Sequence, residues 1–289
     1  MDSILISGTS GFVGSHLKEE LNLHYHVLEL NRSKPNSIRW HELQKLKTPL
    51  KAIIHCSGLA HDASKNAAYD QYYDANVKTT RALVELANRL GVQQFIYLSS
   101  VKVFGNQFQL DENTVTMTTG PYGRSKLEAE AVIKDELHTD CRGICLRPVM
   151  IYGKGNKGNL PRLISFLRKG FPYPFFMKDE KRTMLSLENL IAVIKQLLKT
   201  SIPSGSYIIS DDDGMSTSEI LLLYEETRQV KFRKWSMPTF LMGILSNWNI
   251  VQKITRSMKA SNKKILKALG WKHMPHNVQD SLRTALKDL

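Results

Sequence analysis

Tyr122 and Lys126 stand four residues apart, a spacing that brings both side chains to one face of a helix. An ammonium beside a phenol favours the phenolate and lowers the phenol pKa, so such a pair can hand a proton back and forth. A bare Tyr-x-x-x-Lys is common by chance. Its weight comes from two companions: Leu98-Ser99-Ser100, which precedes the pair by 22 and 26 residues counted from Ser100, and a glycine pattern at the start of the chain. Gly8-x-x-Gly11-x-x-Gly14 follows a short apolar run and opens a helical pattern. There Gly8 permits a sharp turn, Gly11 lets backbone approach a pyrophosphate, and Gly14 lets helix and strand pack closely. The helix N-terminus adds free N–H groups and a positive dipole end. In this context the pattern predicts dinucleotide binding.

These residues need a scaffold, and the hydrophobic pattern supplies one. Ser3–Ser7, 26–30, 52–55, 95–99 and 143–146 read as strands. Helical patterns follow the first turn (Phe12, Val13, Leu17, Leu21) and cover 69–90, where Gly91 stops the helix, and 122–137. Strands alternating with helices predict an α/β fold with a doubly wound parallel (Rossmann) sheet. After Arg147-Pro148 the rhythm changes, with helices at 160–169 and 187–200 and a strand at 207–210. The expected division is a dinucleotide-binding Rossmann domain over 1–155, rejoined by 187–212. Residues 156–186 and 213–289 form a smaller C-terminal α/β substrate-binding region.

The second strand selects the cofactor. Its end reads Glu29-Leu30-Asn31-Arg32-Ser33, where an acidic residue would hold a free ribose 2′-OH. A guanidinium pairs instead with a 2′-phosphate. The reading favours NADP(H), with NAD(H) as the alternative. Glu29 either lies on the strand face or binds ribose, and its place before Leu30 favours the strand face.

The 289 residues are 42% hydrophobic and 23% charged, ordinary globular composition that excludes disorder and collagen. The longest apolar candidate, Met237 to Val251, is interrupted by Ser246, Asn247 and Asn249, so no spanning helix is expected. Asp2 and Gly8 argue against a signal peptide. Cys56, Cys141 and Cys145 lack zinc spacing, and all three read as reduced thiols of a cytoplasmic protein without a metal. The net charge of +13 points to anionic partners. The excess gathers between Arg228 and Lys264, with nine Lys/Arg and no Asp or Glu. That basic segment reads as a solvated surface, with contact to an anionic membrane as the alternative. Its Trp235, Phe240 and Trp248 could stack or insert, but read first as core. Nucleic acid is not the expected partner.

Taken together, the chain resembles the extended short-chain dehydrogenases/reductases that act on nucleotide sugars. The likeness runs nearly end to end: the Gly8 turn, His55-Cys56-Ser57-Gly58-Leu59-Ala60, Asn76-Val77, Tyr97-Leu-Ser-Ser100-Val-Lys-Val-Phe-Gly105, Tyr122/Lys126, Leu146-Arg147-Pro148, Ile151-Tyr152-Gly153 and Leu269-Gly270-Trp271. The resemblance implies Ser100, Tyr122 and Lys126 as the catalytic group, with Tyr122 the acid/base. It implies a cofactor held by Gly8, Ser10, Gly11, Phe12, Val13, Gly14, Asn31, Arg32, Ser57, Gly58, Leu59, Asn76, Ser99 and Pro148, with Tyr122 and Lys126. It also implies a nucleotide-sugar substrate held by Ser100, Lys102, Tyr122, Asn159 and Arg182. Two departures stand out: Ser186 where the family often has a His, and Arg39-Trp40-His41-Glu42 in place of a Gly-Asp adenine contact.

Within that family, 4,6-dehydratases need an Asp-Glu pair where this chain has Ser100-Val101-Lys102, so dehydration is not expected. Epimerases usually carry the acidic NAD-selecting residue, and Asn31-Arg32 favours reduction. Ser99–Val103, Tyr152-Gly153-x-Gly155-x-Lys157-Gly158-Asn159 and Ser210-Asp211 with Ser216-Thr217-Ser218-Glu219 resemble bacterial reductases of UDP-4-keto-6-deoxy-N-acetylhexosamines in surface polysaccharide biosynthesis. The expectation is an NADP(H)-dependent 4-reductase of that type. The alternatives are an NAD-dependent nucleotide-sugar 4-epimerase and, from another class, a catalytically silent dinucleotide-sensing module. A homodimer is the expected assembly.

Overall fold

Ile4, Leu5 and Ile6 are fully buried, and in the computed structural model they form the middle of β1 (Ser3–Ser7). The structure describes residues 1–31, 37–59, 68–156, 159–173, 176, 181–235 and 257–287. β1 pairs in parallel with β2 (His26–Leu30) on one side and β3 (Ala52–His55) on the other. β4 (Gln94–Leu98), β6 (Arg142–Pro148) and β10 (Gly205–Ile209) extend the sheet in the order β10-β6-β4-β3-β1-β2, all parallel. Pleating sends Ile4 and Ile6 to one face and Leu5 to the other. Each face packs its own core. α1 (Phe12–Leu21) and α6 (Leu187–Leu197) cover the first face; α3 (Thr79–Leu90) and α4 (Pro121–Glu136) cover the second. This is the expected doubly wound α/β sheet.

The strand order fixes where a ligand can lie. From β1 the chain steps outward to β2, then crosses back to β3 on the other side. The helices that follow β1 and β3 therefore lie on opposite faces of the sheet, which opens a crevice at the carboxyl ends of those strands.

The helix expected at 69–90 is not continuous. α2 (Tyr69–Tyr72) widens into a π-helical stretch, Tyr73–Lys78, before α3 begins. Thr79 Oγ1 donates to the Ala75 carbonyl at 2.7 Å and Thr80 Oγ1 to that of Asn76 at 2.6 Å. These hydroxyls occupy carbonyls that would otherwise receive only backbone N–H groups, which accounts for the wider turn.

The remaining elements are short. They comprise β5 (Gln109–Leu110), β7 (Ile151–Tyr152), α5 (Asn159–Arg168), β8 (Arg182–Thr183), β9 (Leu185–Ser186), β11 (Gly214–Met215), α7 (Thr217–Arg228), β12 (Lys259–Ala260), α8 (Lys263–Leu269) and α9 (Val278–Lys287). A third core forms among α5, α7 and α9, with Ile164, Tyr224 and Leu282 at its centre. Asp211, just past β10, ties this part to the sheet. Its carboxylate accepts from Tyr152 Oη (2.8 Å), Asn189 Nδ2 (2.7 Å) and the Ser186 N–H (3.1 Å).

Candidate active site

The first turn puts no side chain of Gly8 or Gly11 into the space above it. Gly8 sits at φ +80°, where a side chain is strained, and its carbonyl accepts the Gly11 N–H at 2.9 Å. Gly11 precedes α1 and gives no side-chain cap, so the first amides of that helix stay open to a ligand. A Cβ on Gly14 would stand 2.2 Å from the Gly8 carbonyl oxygen, and one on Gly8 would stand 2.7 Å from the Ser57 nitrogen. Turn, helix and the loop after β3 thus touch through backbone alone. Between them opens a cleft of about 420 Å³, lined by Gly8, Ser10, Gly11, Asn31, Ser57, Gly58 and Leu59 among others. An unfilled helix N-terminus facing a glycine cradle fits a pyrophosphate.

The loop after β3 is held from below. His55 is fully buried; its Nδ1 lies 2.7 Å from Ser7 Oγ and its Nε2 3.1 Å from Thr80 Oγ1. Thr80 gives its own proton to the Asn76 carbonyl, so it accepts from Nε2–H, and this assigns the tautomer with Nδ1 as acceptor. Burial, and after it the charge of Lys126, pushes the imidazole pKa down to about 3. Asn76 grips the loop itself. Its Oδ1 accepts the Leu59 N–H at 2.8 Å, while Nδ2 donates to Ser125 Oγ at 2.8 Å, which donates in turn to the Tyr122 carbonyl at 2.9 Å. The π-helical stretch thereby links the cleft floor to the first turn of α4.

On α4, Lys126 is only 5% exposed. Its Nζ donates to the Leu98 carbonyl at 2.8 Å and lies 4.6 Å from the centre of the Tyr97 ring. Burial brings its pKa down to about 8. A Cβ on Gly58 would sit 3.5 Å from that Nζ, which places the ammonium against the wall of the cleft. Tyr122 is half-buried one turn earlier, its ring centre 6.2 Å from that of Tyr72. Ser100 caps a 3₁₀ turn, Val101–Phe104, accepting the Lys102 N–H at 3.2 Å. Gly123, next to Tyr122, lets α4 press on that turn: a Cβ there would meet the Lys102 carbonyl oxygen at 2.4 Å. One turn beyond Lys126, Glu130 is buried and paired with Arg147 at 2.6 Å. It accepts the Ser99 hydroxyl and, at 3.0 Å, that of Ser206. Ser99 therefore turns its side chain away from the cleft and braces the backbone that carries Ser100.

The other expected site residues divide. Val13 is buried and Phe12 packs against the same core, so both can offer only backbone amides. Pro148 is buried at the end of β6. Asn31 lines the cleft, whereas Arg32 lies outside the described residues. Glu29 is claimed by Thr9 Oγ1, which donates at 2.8 Å, and by Lys18, so it lies outside the cleft lining. Lys102 is exposed, Arg182 is half-buried in β8, and Asn159 opens α5. Sequence reasoning missed Trp40, Cys56, Ala75 and Thr79, which line the cleft too. Trp40 also lines an adjoining hollow of about 470 Å³ with Arg39, His41 and Lys78. The substitution of Arg39-Trp40 for the usual adenine contact was the available signal.

A sequence profile of the NAD dependent epimerase/dehydratase family matches residues 4–209. The UDP-glucose 4-epimerase of Vibrio cholerae is 28% identical over 313 aligned positions, covering 97% of this chain and 93% of that protein. Among solved structures, UDP-glucuronic acid 4-epimerase from Bacillus cereus in complex with NAD matches with a TM-score of 0.78 at 19% identity, over 99% of this chain and 98% of that one. RMD from Pseudomonas aeruginosa complexed with NADPH gives 0.77 at 22% identity, over 100% and 99%. These two structures bear out the fold.

Proposed function

The chain belongs to the NAD dependent epimerase/dehydratase family, and from that premise we propose that it is an NADP(H)-dependent oxidoreductase acting at C4 of a nucleotide-linked sugar. In this reading it reduces a 4-keto-6-deoxy sugar, of the UDP-N-acetylhexosamine type, during surface polysaccharide synthesis. The observation that carries the reading is the buried Lys126 ammonium, set against Gly58 of the cleft and one helical turn from Tyr122.

The Gly8 turn, the open end of α1 and the Ser57–Leu59 loop would hold the dinucleotide, which when bound supplies hydride to the sugar carbonyl. The chain's own groups do the rest. Tyr122 gives its phenolic proton to the oxygen that gains charge. Ser100 Oγ accepts the Lys102 N–H, which orients the hydroxyl, and its O–H donates to the same oxygen. Lys126 holds a positive charge beside Tyr122 and aids return of the proton. Asn159 and Arg182 would meet the nucleotide diphosphate in this reading, an amide and a permanent cation for an anionic group.

Choice of NADP(H) is supported by the absence of a carboxylate among the described residues lining the cleft, and by Glu29 being engaged with Thr9 and Lys18. Arg39 and Lys78 in the adjoining hollow add positive charge at that end. A second reading, a 4-epimerase using NAD, is favoured by the activity of the Vibrio relative.

One assay separates the readings. Purified protein is given UDP-4-keto-6-deoxy-N-acetylglucosamine with NADPH or NADH, and products are followed by NMR. Stoichiometric loss of NADPH supports the reductase. No consumption, together with interconversion of C4 hydroxyl isomers of a UDP-sugar, supports the epimerase. Cofactor binding without turnover in either assay identifies a silent sensor. Tyr122→Phe should lower turnover by a factor on the order of 10² to 10⁴, and unchanged turnover removes Tyr122 from the mechanism.

A further inference from the structure

Far along α5 from its opening residue, the chain gathers aromatic surface that no core covers. Phe166, in the last turns of α5, stacks on Phe171 just beyond it, with ring centres 4.4 Å apart and planes 9° from parallel. Both remain about half exposed, at 47% and 49%. A backbone pairing brings a second segment alongside. The Tyr173 N–H donates to the Arg233 carbonyl at 3.1 Å, and the Trp235 N–H to that of Tyr173 at 3.2 Å. Trp235, read from sequence as core, is instead 46% exposed. Phe240 and Trp248, from the same reading, lie outside the described residues.

Cations share this surface. Arg168, Lys169, Lys231 and Arg233 are all exposed. The acid beneath them, Glu225, is only 11% exposed and is neutralised by Lys234, whose ammonium also lies over the Phe176 ring at 5.2 Å. Sequence continues the same chemistry: from Arg228 to Lys264 there is no Asp or Glu, and 237–251 is mostly apolar.

Exposed aromatics among cations suit two polyanions, and geometry chooses between them. A nucleobase needs an open aromatic face to stack on. Phe166 and Phe171 each spend one face on the other, so the pair stands out as one apolar knob, the shape that inserts among lipid headgroups and upper acyl chains. Trp beside Lys and Arg is the composition of that interface. We propose that this surface, independent of the chemistry in the cleft, is a peripheral contact site for a bilayer with anionic headgroups. Among the described residues no helix is long and apolar enough to cross a membrane.

Vesicle co-sedimentation of the full chain tests this. Phosphatidylcholine vesicles are compared with vesicles in which about one third of the lipid is phosphatidylglycerol, enough to give an anionic surface potential. The full chain should sediment with the anionic vesicles, less so at high salt, and not with the neutral ones. Each surface cation contributes about a five-fold gain in partitioning, so Lys169→Glu/Arg233→Glu should lose at least twenty-five-fold, about five for each of two charges. Phe166→Ser/Phe171→Ser/Trp235→Ser should weaken binding that persists at high salt. Unchanged circular dichroism and melting temperature of both variants establish that they fold. Equal partitioning to neutral vesicles, retention of binding by both variants, or preference for single-stranded DNA over anionic vesicles would overturn the proposal.

Discussion

Lys126 carries a charge that the fold disfavours. Its pKa falls from an ordinary value near 10.5 to about 8 because the ammonium is buried, with a carbonyl and an aromatic ring for company. The unfolded chain keeps that proton up to pH 10.5, so between about 8 and 10.5 the unfolded state binds more protons and stability rises with pH. Below pH 8 the burial penalty is constant, about 3 kcal/mol for a shift of this size. Lys126→Met should therefore raise the melting temperature at neutral pH while abolishing turnover, and kcat/KM of the parent protein should decline as pH climbs through about 8. Melting curves of the variant and a pH–rate profile of the parent check both halves. His55 works in the opposite range. Its folded pKa of about 3 lies below the usual 6.5, so its contribution is whole above pH 6.5 and is lost as pH falls toward 3. His55→Gln should flatten the acid side of the stability curve, measured by urea denaturation between those limits. Tyr122, Lys126 and the glycines were legible in the sequence because their chemistry depends on spacing within one helix or turn. The hold of His55 on Ser7 and Thr80 was not, because those partners lie 48 and 25 residues away.

At the scale of elements, the site depends on how closely α4 approaches the 3₁₀ turn after β4. Gly123→Ala would place a carbon 2.4 Å from the Lys102 carbonyl oxygen, a backbone atom that cannot swing aside. Helix or turn must yield, and that separates Tyr122 from Ser100. The expected result is a fall in kcat of about a hundredfold, the scale of a 1 Å misplacement, with the cofactor KM little changed because the Gly8 turn is untouched. Gly14→Ala should do the reverse, since its Cβ would strike the Gly8 carbonyl and spoil the phosphate cradle. Steady-state kinetics on the two variants reads the split directly. The elements themselves were largely visible: β1, β3 and α4 have apolar positions at periods of 2 or 3.6. The π-helical stretch was not visible. Val77, Leu83 and Val84 fit a helical stripe whether or not one turn is widened, and only the threonine hydroxyl bonds reveal the extra width. Trp40 escaped for a related reason. Its position depends on a single parallel bridge, Leu30 to Ile38, which returns the chain to the edge of the cleft after β2.

Across the whole molecule, two bodies of apolar packing must keep one relation if a cofactor held at β1 and β3 is to meet a substrate held by α5 and β8. The sheet order makes the cleft, but Asp211 holds the second body to it. Tyr152 comes from β7, Ser186 from β9, and Asn189 from the first turn of α6; Asn189 also accepts the His276 N–H at 2.9 Å. No periodic pattern advertises such a hub, because its members are scattered over more than 120 residues and each looks alone like a turn residue. Its energetics are asymmetric. Asp211 is 1% exposed, and burial raises its pKa even against the donors that surround it. The carboxylate is therefore costly in itself and is kept in place by partners that cannot reach water. Tyr152→Phe removes one neutral donor and leaves the others satisfied, which should cost about 1 kcal/mol. Asp211→Leu strands the Ser186 N–H and leaves the phenol and the amide only their second acceptors, the Val278 and His276 carbonyls, and should cost about 2 to 3 kcal/mol. Urea unfolding followed by circular dichroism measures both, and equal losses for the two variants would mean that the carboxylate is not the hub. If it is, the Asp211 variant should also bind cofactor with unchanged affinity while its substrate KM rises. The glycine cradle stands on β1 and β3, whereas the proposed substrate face is tied to the sheet by the bonds of this carboxylate.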